Sequence, residues 1–222
     1  MKILALDTST EACSAALLID SNLTQRYQVA PREHGALILP MIEELLSEAG
    51  LAPTQLDALA FGRGPGAFVG VRIAAGVAQG IAFAADLPVV PVSSLAALAQ
   101  GVAHDHIYSA IDARMNEVYW GAYRKNSEGV VELLGEEIVC PPQSVSAMME
   151  NEQHWYGVGT GWGTYSEILQ QQVKIVAYED NVYPQAKHIA QIARQEYLRG
   201  QTVDAVNAMP TYLRNNVAKK SC

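Results

Sequence analysis

The stretch Phe61-Gly-Arg-Gly-Pro-Gly-Ala-Phe-Val-Gly-Val-Arg-Ile73 decides how this chain is read. An apolar strand, expected over residues 56–61, runs into four glycines and a proline within nine residues. A helix of unusually small residues, expected over 70–85, follows at once. Gly62, Gly64, Gly66 and Gly70 allow backbone approaches that a Cβ forbids, and Pro65 pre-sets one dihedral of a tight turn. Such a strand–turn–helix brings backbone close to something else, either a phosphate or a second helix. Within the helix, Gly76 and Gly80 stand four apart and share a face. Each glycine inside a helix costs about 1 kcal/mol relative to alanine. Two of them are expected only where another backbone approaches: the chain's own sheet, its preceding helix, or a helix of another molecule.

Outward from this stretch the chain reads as a repeated plan. Strands are expected over 3–6, 13–19 and 23–29, then a helix over 36–49 ended by Gly50. That helix carries Leu37, Met41 and Leu45 on one stripe and Ile38, Ile42 and Leu46 on its neighbour. The band is wider than an ordinary amphipathic face. It suits either a well-buried helix or one shared between a core and a partner. A short strand at 89–90 and a helix over 95–101 with Ser93-Ser94 as cap complete the first half. The second half is expected to run through strands at 106–111, 117–123 and 130–139. Ser144 then caps a short helix to residue 149, followed by a strand at 155–158 and a helix over 189–198. Both halves open with a strand ending in Asp, at Asp7 and Asp112. The expected organisation is α/β, with subdomains at 1–102 and 103–222, each on a β-β-β-α-β-α plan; the terminal segment packs back on the first. This duplicated plan resembles the superfamily of actin, the heat-shock chaperone ATPases and the sugar kinases (the ASKHA fold).

Composition narrows the function. Half of the 222 residues are hydrophobic, so a sizeable core is expected. The net charge is −8 and no basic cluster precedes Lys219-Lys220, which speaks against nucleic-acid binding by this chain alone. Three scattered cysteines, Cys13, Cys140 and Cys222, fit a reducing compartment. Neither a signal-peptide core nor an apolar run near ~20 residues is seen, so a soluble cytoplasmic protein is expected.

The chemistry-bearing motifs are few. The glycine turn lacks the Lys-Ser/Thr end of a P-loop, and its spacing and Pro65 do not suit a dinucleotide fingerprint. Asp7-Thr8-Ser9-Thr10 is a better phosphate candidate, because ASKHA proteins wrap a nucleotide phosphate with a strand ending in Asp followed by Gly-Thr. Thr8 replaces that glycine here, and the alternative is an Asx or ST turn closing a hairpin. His104-x-His106 with Asp105 lacks a third ligand and is expected to be a solvated connection. No metal site and no nucleophile elbow are expected, and Cys13 reads as a structural thiol.

A family resemblance joins these pieces. Asp7-Thr-Ser-Thr10, His34, Leu39-Pro-Met-Ile-Glu-Glu-Leu-Leu46, Gly64-Pro-Gly-Ala-Phe-Val-Gly-Val-Arg-Ile73, Pro91-Val-Ser-Ser-Leu95 and Pro210-Thr-Tyr-Leu-Arg214 together resemble the TsaB (YeaZ) family. Ala67 and Val69 stand where Ser and Thr are commoner. The resemblance implies a degenerate relative of TsaD, which places threonylcarbamoyl on the adenosine beside the tRNA anticodon. It implies no catalysis, no cofactor of its own and ATP bound mainly by partners. TsaD would be met through the N-terminal helices, with His34, Leu37, Ile38, Met41, Ile42, Leu45, Arg72, Gly76 and Gly80 as contacts. TsaE would join, tRNA would be met only through the complex, and two copies would pair when TsaD is absent. TsaD's metal-binding His-x-x-x-His falls on Ser94 and Leu98, and leucine is no ligand. The alternative is a self-sufficient ASKHA enzyme, a small-molecule kinase or metallopeptidase, with Asp7 and Asp112 as its carboxylates.

Overall fold

The computed structural model describes residues 1–147 and 154–214. The first half gives β1 (Lys2–Asp7), β2 (Ala12–Ile19), β3 (Asn22–Val29), α1 (His34–Ala49), β4 (Ala58–Gly64), α2 (Phe68–Ala85), β5 (Val89–Ser93) and α3 (Ser94–Gln100). The second gives β6 (His106–Asp112), β7 (Val118–Lys125), β8 (Val131–Cys140), β9 (Trp155–Val158), α4 (Thr160–Gln172), β10 (Ala177–Glu179) and α5 (Ala186–Leu198). Two five-stranded sheets result, ordered β3-β2-β1-β4-β5 and β8-β7-β6-β9-β10. In each, the first three strands are antiparallel neighbours and the last two join in parallel. The sheets therefore carry the duplicated ASKHA plan. α4 and β10 were not anticipated from the sequence, because Gly159-Thr-Gly-Trp-Gly163 reads as a loop. The helix expected after Ser144 is instead a 3-10 turn at Pro142–Ser144, and its end at residue 149 lies outside the described residues.

Side-chain alternation along β1 divides the molecule into layers. Leu4 and Leu6 face α1 and α2, whereas Ile3 and Ala5 face the space between the two sheets. That space is filled by α3 and α5, and each packs across the halves. α3, from the first half, lies on β6 and β7; α5, from the second, lies on β1, β2 and β4. Ala186 N–H donates to Ser14 Oγ at 2.9 Å, fixing the start of α5 on the first sheet. Trp162 of α4 closes the far side of the second sheet, donating from Nε1 to the Tyr108 carbonyl at 3.0 Å.

The glycine stretch begins as strand, not as turn: β4 continues through Gly62 to Gly64, where the Gly64–Pro65 peptide is cis. α2 starts two residues earlier than the small-residue run suggests. Eighteen residues long with a mean hydropathy of 1.6, α2 could cross a membrane by length and composition alone. Its alanine stripe, Ala74, Ala75, Ala78 and Ala82, is buried against the first sheet.

A segment after α5 runs back along α2. Val203 bridges Val89, Gln79 Nε2 donates to the Ala208 carbonyl at 3.2 Å, and Thr211 N–H donates to the Arg63 carbonyl at 2.8 Å. Tyr212 then meets Phe68, and Arg214 pairs with Glu117 on the turn between β6 and β7. This strap ties both sheets to one helix.

The glycines of the turn and of α2 play opposite parts. A Cβ on Gly66 would lie 2.2 Å from the Ser9 carbonyl oxygen, and one on Gly70 2.0 Å from that of Thr8. Backbone meets backbone there, so no side chain can yield. Among the described residues, a Cβ on Gly76 or Gly80 would meet nothing within 4 Å. Urea unfolding should therefore show Gly70→Ala destabilised by about 3 kcal/mol or more. Gly76→Ala should be stabilised by roughly 0.5–1 kcal/mol.

Candidate functional site

The two motifs singled out from the sequence lock onto each other. Thr8 Oγ1 donates to the Gly70 carbonyl at 2.7 Å, and Ala67 N–H donates to the Ser9 carbonyl at 2.7 Å. Ser9 N–H donates to Asp7 Oδ1 at 3.0 Å, and Ser9 Oγ lies 2.9 and 3.1 Å from the two carboxylate oxygens. Gly62 leaves room for that carboxylate, since a Cβ there would lie 1.8 Å from Asp7 Oδ2. Asp7, Thr8 and Ser9 are fully buried and Thr10 nearly so. Asp7, Thr8 and Ser9, offered by the sequence either as a phosphate candidate or as an Asx turn, form the Asx turn, and the close approach of the glycine turn is made to this loop.

Burial raises the Asp7 carboxyl from its ordinary 3.8 to about 6, against the opposing hydrogen bonds from Ser9. An acid with a raised folded pKa stabilises the fold below its unfolded pKa and loses that contribution as the pH climbs through about 6. His188 slopes the other way. Its burial lowers its pKa from 6.5 to about 4, so its contribution is lost as the pH falls through that range. Asp7→Asn removes only the first slope. Its stability advantage over the parent should grow from near zero below about pH 4 to about 3 kcal/mol above about pH 7. Urea unfolding at stepped pH reads that difference, and a flat one would contradict it.

A cleft of about 930 Å³ opens between the halves, bordered by Ser9, Thr10, the starts of α1 and α2, Asp112, Thr160 and Asp180. Arg114 spans it, with Nη2 3.0 Å from Glu11 Oε1 and Nη1 3.0 Å from Asp112 Oδ2. Asp112 also accepts from the Arg114 N–H at 2.8 Å. Arg114, Met115 and Asn116 all have φ near +60°, a costly run for residues with side chains. The sequence places a turn at Asp112–Asn116, and the structure has it there; its left-handed backbone was not legible, because no glycine announces it.

The TsaD-like metal positions sit elsewhere. Ser94 and Leu98 lie on α3 in the core between the sheets, where a Cβ on Gly159 would come 2.9 Å from Leu98 Cδ1. Among the described residues no three His, Cys, Asp or Glu side chains cluster as metal ligands. His104 stacks on Tyr156, and His106 meets the edge of Trp155. Cys13 is buried, and its thiol is pushed up to about 11 by burial and the nearby Asp7.

The helix faces correct half of the expected contact set. Ile38, Met41, Ile42 and Leu45 are buried against Leu4, Leu6 and Leu17, because the wide band of α1 is needed to cover the chain's own sheet. His34 is buried as well, and Leu37 is half-buried. Arg72, Gly76 and Gly80 are exposed. With them stand residues the sequence reading passed over: Val69, 66% exposed, Phe83, 78%, and Leu39 on α1, 54%. Positions 69, 73, 76, 80 and 83 recur at helical spacing, so the signal was present in the sequence. The result is an apolar stripe on α2 with a glycine floor.

The sequence pattern of the TsaD family, described as tRNA N6-adenosine threonylcarbamoyltransferase, matches residues 21–222. The tRNA threonylcarbamoyladenosine biosynthesis protein TsaB of Haemophilus influenzae is 45% identical, over 99% of this chain and 96% of that protein. Its Escherichia coli counterpart is 41% identical, over 99% and 97%. The solved structure of YeaZ from Pseudomonas aeruginosa superimposes with a TM-score of 0.91 at 47% identity, covering 96% of this chain and 99% of that one. Sequence, fold and the TsaD-family match agree: the chain belongs to the TsaB (YeaZ) branch of the TsaD family.

Proposed function

We propose that this chain is a non-catalytic subunit in the formation of threonylcarbamoyladenosine beside the anticodon of tRNA, acting in the cytoplasm. It pairs with TsaD through α2, with Leu39 and Leu37 of α1 at the border of the contact. The observation that carries the reading is the open stripe of α2. Among the described residues nothing lies within 4 Å of where a Cβ on Gly76 or Gly80 would stand, although each glycine weakens the helix. A backbone brought against them from another molecule gives those glycines a purpose. The names of the TsaB relatives as biosynthesis proteins supply the process. Leu98, at one of the positions that carry TsaD's histidines, and the sealed Asp7 speak for a chain that does not perform the transfer itself.

In this reading TsaE joins the pair, ATP is held mainly by the partners, and tRNA is met only through the assembly, as suits a net charge of −8. Without TsaD, two copies meet through the same stripe. The cleft is the feature that favours the other reading, a self-sufficient kinase or peptidase. Asp7 is covered there and Asp112 is ion-paired, so neither carboxylate is free to act as a base.

Gly76→Leu and Gly80→Leu should fold as stably as the parent or better, by up to ~1 kcal/mol. Both should fail to co-purify with TsaD and fail to restore tRNA modification in cells depleted of the parent chain. Undiminished co-purification would sink the docking reading. The purified chain alone should hydrolyse neither ATP nor peptides; turnover that disappears in Asp112→Asn would establish the enzyme instead.

A further inference from the structure

Arg72 stands on the flank of α2 that the strap covers, at the margin of the open stripe. Its guanidinium carbon lies 3.4 Å from the centroid of the Phe68 ring and 5.4 Å from that of Tyr212. The two rings are 6.0 Å apart and tilted by 42°. The strap fixes this arrangement through Gln79 to Ala208 and Thr211 to Arg63. A guanidinium seated over an aromatic face is held by the ring's π-surface, and N–H donors stay available to a further partner. Five other arginines, Arg26, Arg63, Arg114, Arg199 and Arg214, each have a carboxylate within ion-pair distance. Among the described residues none pairs with Arg72. Its neighbours one turn away on the helix and beside it, Val69, Ile73 and Gly76, are uncharged. A pre-oriented cation is thus left on an apolar surface of an acidic chain.

We propose that Arg72, seated on Phe68 with Tyr212 beside it, recognises a carboxylate on the docking helix of the partner, which makes the strap part of the interface. The inference rests on the docking reading above and names the chemistry that selects the partner. An apolar helix seated over Gly76 and Gly80 strips water from the guanidinium. A desolvated charge without a counter-charge is costly. The surface that fits is therefore apolar with one Asp or Glu facing Arg72, close enough for a paired, charge-assisted contact. Lysine cannot replace this arginine, because an ammonium has neither the flat face nor the fork of donors.

The test is a titration of the full chain with TsaD at ~50 and ~500 mM salt, where exposed charge pairs are weakly and strongly screened. Arg72→Gln, Arg72→Lys, Tyr212→Ala and Gly76→Leu are compared, each checked for parental thermal unfolding. Arg72→Gln should weaken binding about tenfold at low salt and abolish its salt dependence. Arg72→Lys should keep the salt dependence without the full affinity. Tyr212→Ala should weaken binding although the charge remains. Parental affinity in Arg72→Gln, or weakened binding that keeps the parental salt dependence, overturns the carboxylate assignment. Should Arg72→Gln unfold early, loss of salt dependence in Arg72→Lys decides against the proposal in its place. Gly76→Leu separates the two levels: lost binding there leaves docking standing whatever Arg72 does, and retained binding removes both readings.

Discussion

One backbone-on-backbone contact organises the molecule. The turn after β1 and the turn before α2 approach so closely that neither Gly66 nor Gly70 can carry a Cβ. Through Thr8 and Ala67 the two turns are also hydrogen-bonded at 2.7 Å. This seat sets the direction in which α2 leaves the sheet. The direction decides which stripe of α2 is covered by alanine packing and which faces outward. The glycines within the helix have meaning only because the glycines before it have aimed them.

The same contact covers the carboxylate at the end of the first strand. Ser9 and the glycine turn occupy its surroundings, and its burial favours the proton. The second carboxylate, Asp112, is tied to Arg114. What remains open beside these two carboxylates is the cleft between the halves and the apolar stripe on the outside of α2.

Much of this could be read from the residues. The duplicated strand order follows from two strands ending in Asp and the meanders after them. Gly76 and Gly80 stood out because glycine inside a helix needs a reason. The assignment of α1 failed for a physical cause: a wide apolar band says how much a helix buries, but not whether its own sheet or a partner does the burying. Ile38, Met41, Ile42 and Leu45 serve the sheet. Phe68, Val69 and Phe83 look like core residues in a sequence, and only the direction of α2 shows them exposed. α4 was hidden by the three glycines at its start, Gly159, Gly161 and Gly163. Two of them, Gly159 and Gly161, fit because Ala110, Leu98 and Val118 leave no room for a side chain, a reason no local pattern reveals.

The crossing of α3 and α5 bears on how the chain is made. During synthesis the first sheet can pair its strands and receive α1 and α2 as soon as residue 93 has emerged. The face formed by Ile3, Ala5, Ala16 and Leu18 then stays bare, because its cover is α5, about a hundred residues later. The nascent first half is thus a half-roofed layer whose greasy underside waits for the ribosome to finish. Its two sheets are closed in one late act by helices that trade places.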